Sequence, residues 1–403
     1  MRTTKIPQIY IKNARNMRTL SLVCLVAALG TAVVSAQVSS GRTTLAGDAI
    51  HEPSSSPVAY VYVGAGDITA YSAAANGQLT KIPGSPFSAS VGYLAGNGKY
   101  LFASTASTTD IESYAVESNG ALHFVASENA ASADGGCGNA NAIFTDHTGE
   151  TLYAMAYDGN ECSNNTYEEF SINQSTGKLT YLGLGGDNNQ INGRLSFTGN
   201  NLYAYSADCF RDDPAIIGFK RSSNGKMTEL NIDPALPAAP ENDQYCPWLA
   251  ESDPSGHLAV SMGALDENQN AVGPNLLATY TVSSSGKLTT SSTTKNMATV
   301  DVGDQINAMN TSPAGNLLAV AGTKGLQVFH FNGANPITHF TGLLTSTEVD
   351  QIFWDNNNHL YGISSSANKL WVFTVTTSGF SEAPGSPYSV HSPQGLRVMT
   401  LSD

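Results

Sequence analysis

The sequence predicts an all-β chain, a seven-bladed β-propeller of four-stranded antiparallel blades, closed by pairing of its N- and C-terminal strands. Three observations predict it. An apolar strand start recurs at Val61-Tyr62, Leu101-Phe102, Leu152-Tyr153, Leu202-Tyr203, Leu258-Ala259, Leu317-Leu318 and Leu360-Tyr361, with spacings of 40, 51, 50, 56, 59 and 43 residues. Repeats of that period, made of short strands and turns, are the mark of a propeller. A Gly-centred turn follows within most copies, at Asn76-Gly77, Asn119-Gly120, Gly177, Asn224-Gly225, Gly286 and Gly379, where a tight hairpin needs positive φ. The sixth copy departs, with Asn332-Gly333-Ala334-Asn335-Pro336. Finally, the first copy starts at strand two, Ala59–Val63, while the C-terminal run Gly395–Leu401 alternates like a strand one with nothing after it. Joined, they make one blade and remove the open edge of the ring.

The elements follow in chain order. Arg2, Lys5, Lys12, Arg15 and Arg18 precede an apolar run from Leu20 to Val34, and Val34-Ser35-Ala36 offers small cleavage residues, so residues 1–36 read as a secretory signal peptide. Residues 37–56, rich in Ser, Thr and Gly, read as a flexible leader, and residues 57–403 as the propeller domain. In the sixth copy, strand one is expected at Gln305–Asn310, strand two at Leu317–Ala321, strand three at Leu326–Phe331 and strand four at Ile337–Phe340. No later apolar stretch is long enough to span a bilayer, so the expectation is an exported, periplasmic or extracellular monomer.

Charge narrows the partners. The whole chain carries 19 Lys+Arg against 33 Asp+Glu; without residues 1–36 the balance is 14 against 33, a net −19. Such a surface repels polyanions, which excludes nucleic acid as the expected partner and disfavours a phosphorylated substrate. Cys137, Cys162, Cys209 and Cys246 remain beyond the signal segment, an even number suited to two disulfides in an oxidising compartment. Thiolate metal ligation is the alternative, although no pair has the two-residue spacing of a zinc site.

Residues 57–403 resemble the lactonase-like seven-bladed β-propellers with YVTN-type repeats, which include 6-phosphogluconolactonases and carboxymuconate-cyclising relatives. The matching residues are Ile68-Thr69-Ala70-Tyr71, Asn76-Gly77-Gln78-Leu79-Thr80, Gly84-Ser85-Pro86-Phe87 with its echo Gly385-Ser386-Pro387-Tyr388, and the lead-ins Asp253-Pro254-Ser255-Gly256 and Ser312-Pro313-Ala314-Gly315. The resemblance implies a lactonase, a carboxylic ester hydrolase acting on a sugar or acyl lactone. A non-catalytic extracellular propeller that binds a glycan or a protein is the alternative.

Propeller geometry then locates candidate chemistry. Loops from strand two to three and from strand four to the next strand one share the face where innermost strands begin. Insertions at Tyr157–Thr166, Ala207–Ala215 and Gly263–Pro274 are expected to wall one sector of it, and their positions favour the pairs Cys137–Cys162 and Cys209–Cys246. Around the same mouth recur Gln190, Gln244, Gln305, Gln351 and Gln394, read as substrate-binding amides or as ties between blades. Arg194 and Arg397 are candidate oxyanion donors, Asp304, Asp350 or Glu348 candidate bases, and His391 the histidine nearest the mouth. No cofactor is required by this reading; Ca²⁺ held by oxygen ligands is the candidate ion, and a small neutral lactone or glycan the expected ligand.

Overall fold

The structure, a computed structural model, describes residues 56–104, 109–130, 140–156, 166–185, 194–209, 214–232, 234–240, 243–268 and 270–401. Residues 1–55, which hold the expected signal peptide and most of the leader, lie outside that set, as do Cys137, Cys162 and Gln190. Seven antiparallel sheets form the ring, and the described residues contain no α-helix. Blades one, five and seven each gain a short extra strand, Phe87–Val91, Ala298–Thr299 and Tyr388–Ser389.

Closure follows the expected pairing. The strand Gly395–Thr400 runs antiparallel to the start of Ala59–Ala73 in the register Ala59↔Thr400 to Gly64↔Gly395. The latter segment folds back on itself, since Val58 N–H donates to Ala73 O at 2.8 Å. It therefore supplies strands two and three of blade one. In the sixth blade the strands are Ile306–Thr311, Leu317–Gly322, Gly325–His330 and Thr338–Thr345, each within a few residues of expectation.

The core is a ring of interfaces. Seven hydrophobic clusters form, one at each junction between neighbouring blades. The two-residue period of a strand explains this division. Along Ala59–Ala73, Ala59, Val61 and Val63 turn toward blade seven, while Tyr60 and Tyr62 turn toward blade two. Burying both faces of each strand requires the nearly continuous apolar runs that made the repeats visible.

The hairpin glycines have a second duty beyond positive φ. A Cβ at Gly120, Gly177, Gly225, Gly286, Gly333 or Gly77 would press on Tyr60, Tyr100, Thr151, Tyr203, His257 or His359 respectively, a residue near the start of strand two in the preceding blade. Each blade thus seats its turn on its neighbour. Tyr62, Tyr153 and Tyr205 reinforce the contact by donating their hydroxyls to the carbonyls of Gly120, Gly225 and Gly286 at 2.9, 2.6 and 2.8 Å. Each bond contributes about 1 kcal/mol net, and burial holds the three phenols in the neutral form by raising their pKa. Gly379 departs from the expected turn role. It has no positive φ, begins the outer strand Gly379–Glu382, and faces nothing within 4 Å. The sixth blade, whose turn departs in sequence, still seats a glycine on its neighbour through Gly333, at φ +62.

Two of the histidines are likewise structural. Asp253 and Asp355 each accept the backbone N–H of the histidine four residues on, at 2.7 and 2.9 Å, and each meets the Nδ1 of that ring at 2.7 Å. These carboxylates cap the turns from strand one to strand two. Asn97, Asp146, Thr198 and Ser312 stand at the equivalent turn positions.

Candidate functional site

A cavity of about 670 Å³ opens at the end of the ring where the innermost strands finish. Every blade contributes to its wall through the last residues of strand one or the turn that follows, from Gly96 in blade two to Thr400 in blade one. This is the face opposite the one to which the sequence reading assigned the site. Strand one determines the distance: Ile306–Thr311 has six residues, which span roughly 20 Å at strand rise.

That length separates the candidate residues into two groups. Arg194 and Arg397 line the cavity. Asp304, Asp350 and His391 precede the starts of innermost strands, at the other end. The Asp304 side chain is 99% exposed, with Lys324 Nζ 4.0 Å away. Asp350 accepts the Ser365 N–H at 2.6 Å, and His391 is exposed. Glu348 is half-buried and outside the cavity wall. The described amides Gln244, Gln305, Gln351 and Gln394 are outside it too, and two of the polar side chains in those phrases join blades. Gln351 donates to Gln394 O at 2.5 Å and accepts from Leu396 N–H at 3.0 Å, and Asn307 donates to Val349 O at 3.0 Å. Gln244, Gln305 and Gln394 are exposed.

Inside the cavity the sequence reading missed one residue, Glu251, near the end of the innermost strand Gln244–Ser252 of blade five. Its Oε1 accepts Asn310 Nδ2 at 3.1 Å and Thr311 N–H at 3.3 Å, and Ser196 also bonds its carboxylate. Burial pushes its pKa up to about 7, although Arg194 and these hydrogen bonds pull it back down. A signal existed in the repeats. Two residues before the turn cap, blades two, three, four, six and seven carry Ala95, Phe144, Ser196, Asn310 and Phe353, so among these six blades only blade five has a carboxylate in that register.

Arg397 is held firmly. Its guanidinium donates to Gly96 O at 2.6 Å and lies 4.6 Å above the Phe353 ring centre. Burial, then the nearby Arg194 charge, lowers its pKa to about 10, so it remains protonated at neutral pH. Arg194 is more exposed, and its charge acts on both Glu251 and Arg397. Three buried polar atoms of the cavity wall, Arg397 Nε, Ser252 Oγ and Thr311 Oγ1, make no hydrogen bond among the described residues. They are available to a polar ligand or water.

Cys209 and Cys246 form a disulfide with Cα atoms 5.0 Å apart, as their expected positions favoured. It ties the end of Tyr203–Asp208 in blade four to the strand that carries Glu251. Among the described residues, no group of three or more His, Cys, Asp or Glu side chains comes close enough to hold a metal ion. No helix among them is long and apolar enough to cross a membrane.

No family model matches the chain, and no curated protein matches it in sequence. Solved structures do match its fold. A candidate 6-phosphogluconolactonase from Bacteroides fragilis superposes with a TM-score of 0.64 at 15% identity, covering 86% of this chain and 99% of the other. The periplasmic gluconolactonase of Pseudomonas aeruginosa superposes with a TM-score of 0.62 at 13% identity, covering 85% and 99%. A hypothetical selenium-binding protein from Sulfolobus tokodaii gives 0.56 at 10% identity over 85% and 93%. The likeness to lactonase-type seven-bladed propellers holds at the level of fold, and the third neighbour illustrates that the fold does not by itself specify activity.

Proposed function

We propose that the chain is a lactone hydrolase whose site is the channel cavity, with Glu251 as general base and Arg194 as oxyanion donor. One observation carries the reading: a carboxyl whose pKa is pushed up to about 7 stands beside Arg194, in a cavity walled by all seven blades that Arg397 also lines. A base whose pKa lies near the working pH combines a useful ionised fraction with proton-transfer strength. In this mechanism Glu251 takes a proton from water as its oxygen bonds the lactone carbonyl carbon. The carbonyl electrons move to oxygen, where Arg194 meets the developing charge. The tetrahedral intermediate then breaks the ring C–O bond, and Glu251 returns the proton to the departing alkoxide, giving the hydroxy acid. Arg397, already engaged by Gly96 and Phe353, contributes its field rather than the principal hydrogen bond.

The ligand on this reading is a small lactone without phosphate, because Glu251 offsets one of the two cavity charges and the chain outside is acidic. The signal-like segment and the Cys209–Cys246 bond support action outside the cytoplasm. The Pseudomonas aeruginosa neighbour, a periplasmic gluconolactonase, supports both chemistry and place as analogy. The test is lactone opening, followed as acid release at fixed pH, by wild type, Glu251→Gln and Arg194→Ala. Loss of roughly a hundredfold or more in each variant is expected. Absence of turnover by wild type on neutral and phosphorylated lactones alike overturns it in favour of a binding propeller.

A further inference from the structure

Beside the channel cavity, between the turns of blades four and five, lies a second hollow of about 230 Å³, and Gly199 and Pro254 wall both. The two recesses differ chemically. The channel is lined by the guanidinium groups of Arg194 and Arg397 and by the carboxyls of Asp146, Glu251 and Asp253, whereas the hollow is lined by neutral residues, with hydroxyls from Thr198, Ser255, Ser283 and Ser284 and an amide from Asn200. Pro254 and Val282 add apolar surface.

Local packing produces this shape. Gly199 lies so close to the Pro254 backbone that a Cβ would overlap its carbonyl, which brings the two turns together. Gly256, at φ +91, has nothing within 4 Å of where its Cβ would be, so the floor behind Pro254 stays open. Part of the polar lining is committed to the turns themselves. Thr198 Oγ1 donates to Asn200 Oδ1 at 2.8 Å, which also accepts Leu202 N–H at 2.9 Å, and Ser283 Oγ accepts Lys287 N–H at 2.9 Å. Asn200 Nδ2 and the Ser255 and Ser284 hydroxyls make no hydrogen bond among the described residues and remain available.

Free hydroxyls and an amide, which donate or accept, set beside a proline ring and a valine, match the surface of a sugar ring. Its hydroxyls need both kinds of partner, and its C–H faces need apolar contact. The same lining offers no charge to a phosphate or carboxylate. We propose that this hollow is a subsite for a neutral glycosyl unit, and that the substrate is an aldonolactone carrying that unit through a glycosidic bond. The lactone ring enters the channel at Glu251 and the attached sugar rests between blades four and five. This inference rests on the lactone-opening reading.

The experiment compares kcat/KM of the full chain on a monosaccharide aldonolactone and on the β-1,4-linked disaccharide aldonolactone, with Ser284→Trp and Ser255→Trp as variants. Neither serine belongs to the channel machinery, and the Tyr203 hydroxyl bonds the Ser284 backbone carbonyl, which the substitution retains. The disaccharide lactone is expected to be favoured by about tenfold or more, and an indole filling the hollow should abolish that advantage while leaving the monosaccharide rate unchanged. Equal kcat/KM for both lactones in wild type overturns the subsite, as does an equal change for both in variants whose melting is unaltered. If no lactone is opened, the hydrolase reading fails separately, and the hollow is judged by calorimetric binding of the corresponding unoxidised disaccharide. Binding lost in Ser284→Trp then supports the subsite; no binding by wild type overturns it.

Discussion

Glu169 provides a test of the energetics that does not depend on the proposed activity. It lies in strand three of blade three, is 1% exposed, and accepts the Met227 N–H of blade four at 2.7 Å. Burial raises its pKa from 4.5 to about 7, against the opposing pull of that hydrogen bond and of Lys226. The folded state therefore keeps a proton that the unfolded chain releases. Below pH 4.5 both states are protonated and the group is neutral in the balance. Between 4.5 and about 7 the unfolded chain ionises first, so stability falls with rising pH, and above 7 the full penalty persists. At 1.36 kcal/mol per unit, that penalty is about 3 kcal/mol. Replacing Glu169 by Gln removes the charge while retaining an oxygen for Met227 N–H. The variant should melt higher than wild type at pH 8, by roughly 5 °C for a domain of this size, and the difference should vanish near pH 4. Scanning calorimetry at both pH values measures it. Equal melting temperatures at pH 8, or a gain of the same size at pH 4, would refute the argument that desolvation of this carboxylate dominates.

The remaining predictions concern the site, the turns and the ring. With Glu251 as base, kcat/KM on a lactone should rise with pH, reach half its plateau near pH 7, and stay flat above; in Glu251→Gln a pH–rate profile should lose that rise. Gly120→Ala combines φ +82 with a Cβ 2.4 Å from Ile82 and should lower stability by roughly 2–4 kcal/mol in denaturant titration, whereas Gly379→Ala should be nearly silent. Deleting residues 394–403 removes the partner of Ala59–Gly64 and exposes strand edges, so sedimentation and thermal melting should reveal aggregation or early unfolding; unchanged melting would contradict closure by that strand. Cys209→Ser should lower thermal stability and, by loosening the strand that ends near Glu251, reduce kcat more than it changes KM.

The blades were legible because each is specified locally. Alternating residues such as Tyr60 and Tyr62 against Ala59, Val61 and Val63 encode two buried faces within a single strand, and the ends of the chain reveal closure because one lacks a strand that the other supplies. The glycine turns were legible as turns, but their seating on the preceding blade was not, since Gly120 and Tyr60 meet only when two repeats stack. The site was least legible. Arg194, Glu251 and Arg397 lie in separate repeats, and nothing near Glu251 in the chain distinguishes it as a base except an alignment of the repeats in register. Its pKa comes from burial among strands of blades four, five and six, a property of the closed ring rather than of any segment. The direction of each innermost strand also decided which candidates can act together, because a strand holds its two ends apart by its full length. Sequence determined the repeating unit through short-range periodicity and turn chemistry; the ring alone determined which end of the channel became a cavity and which charges it brought within reach of one another.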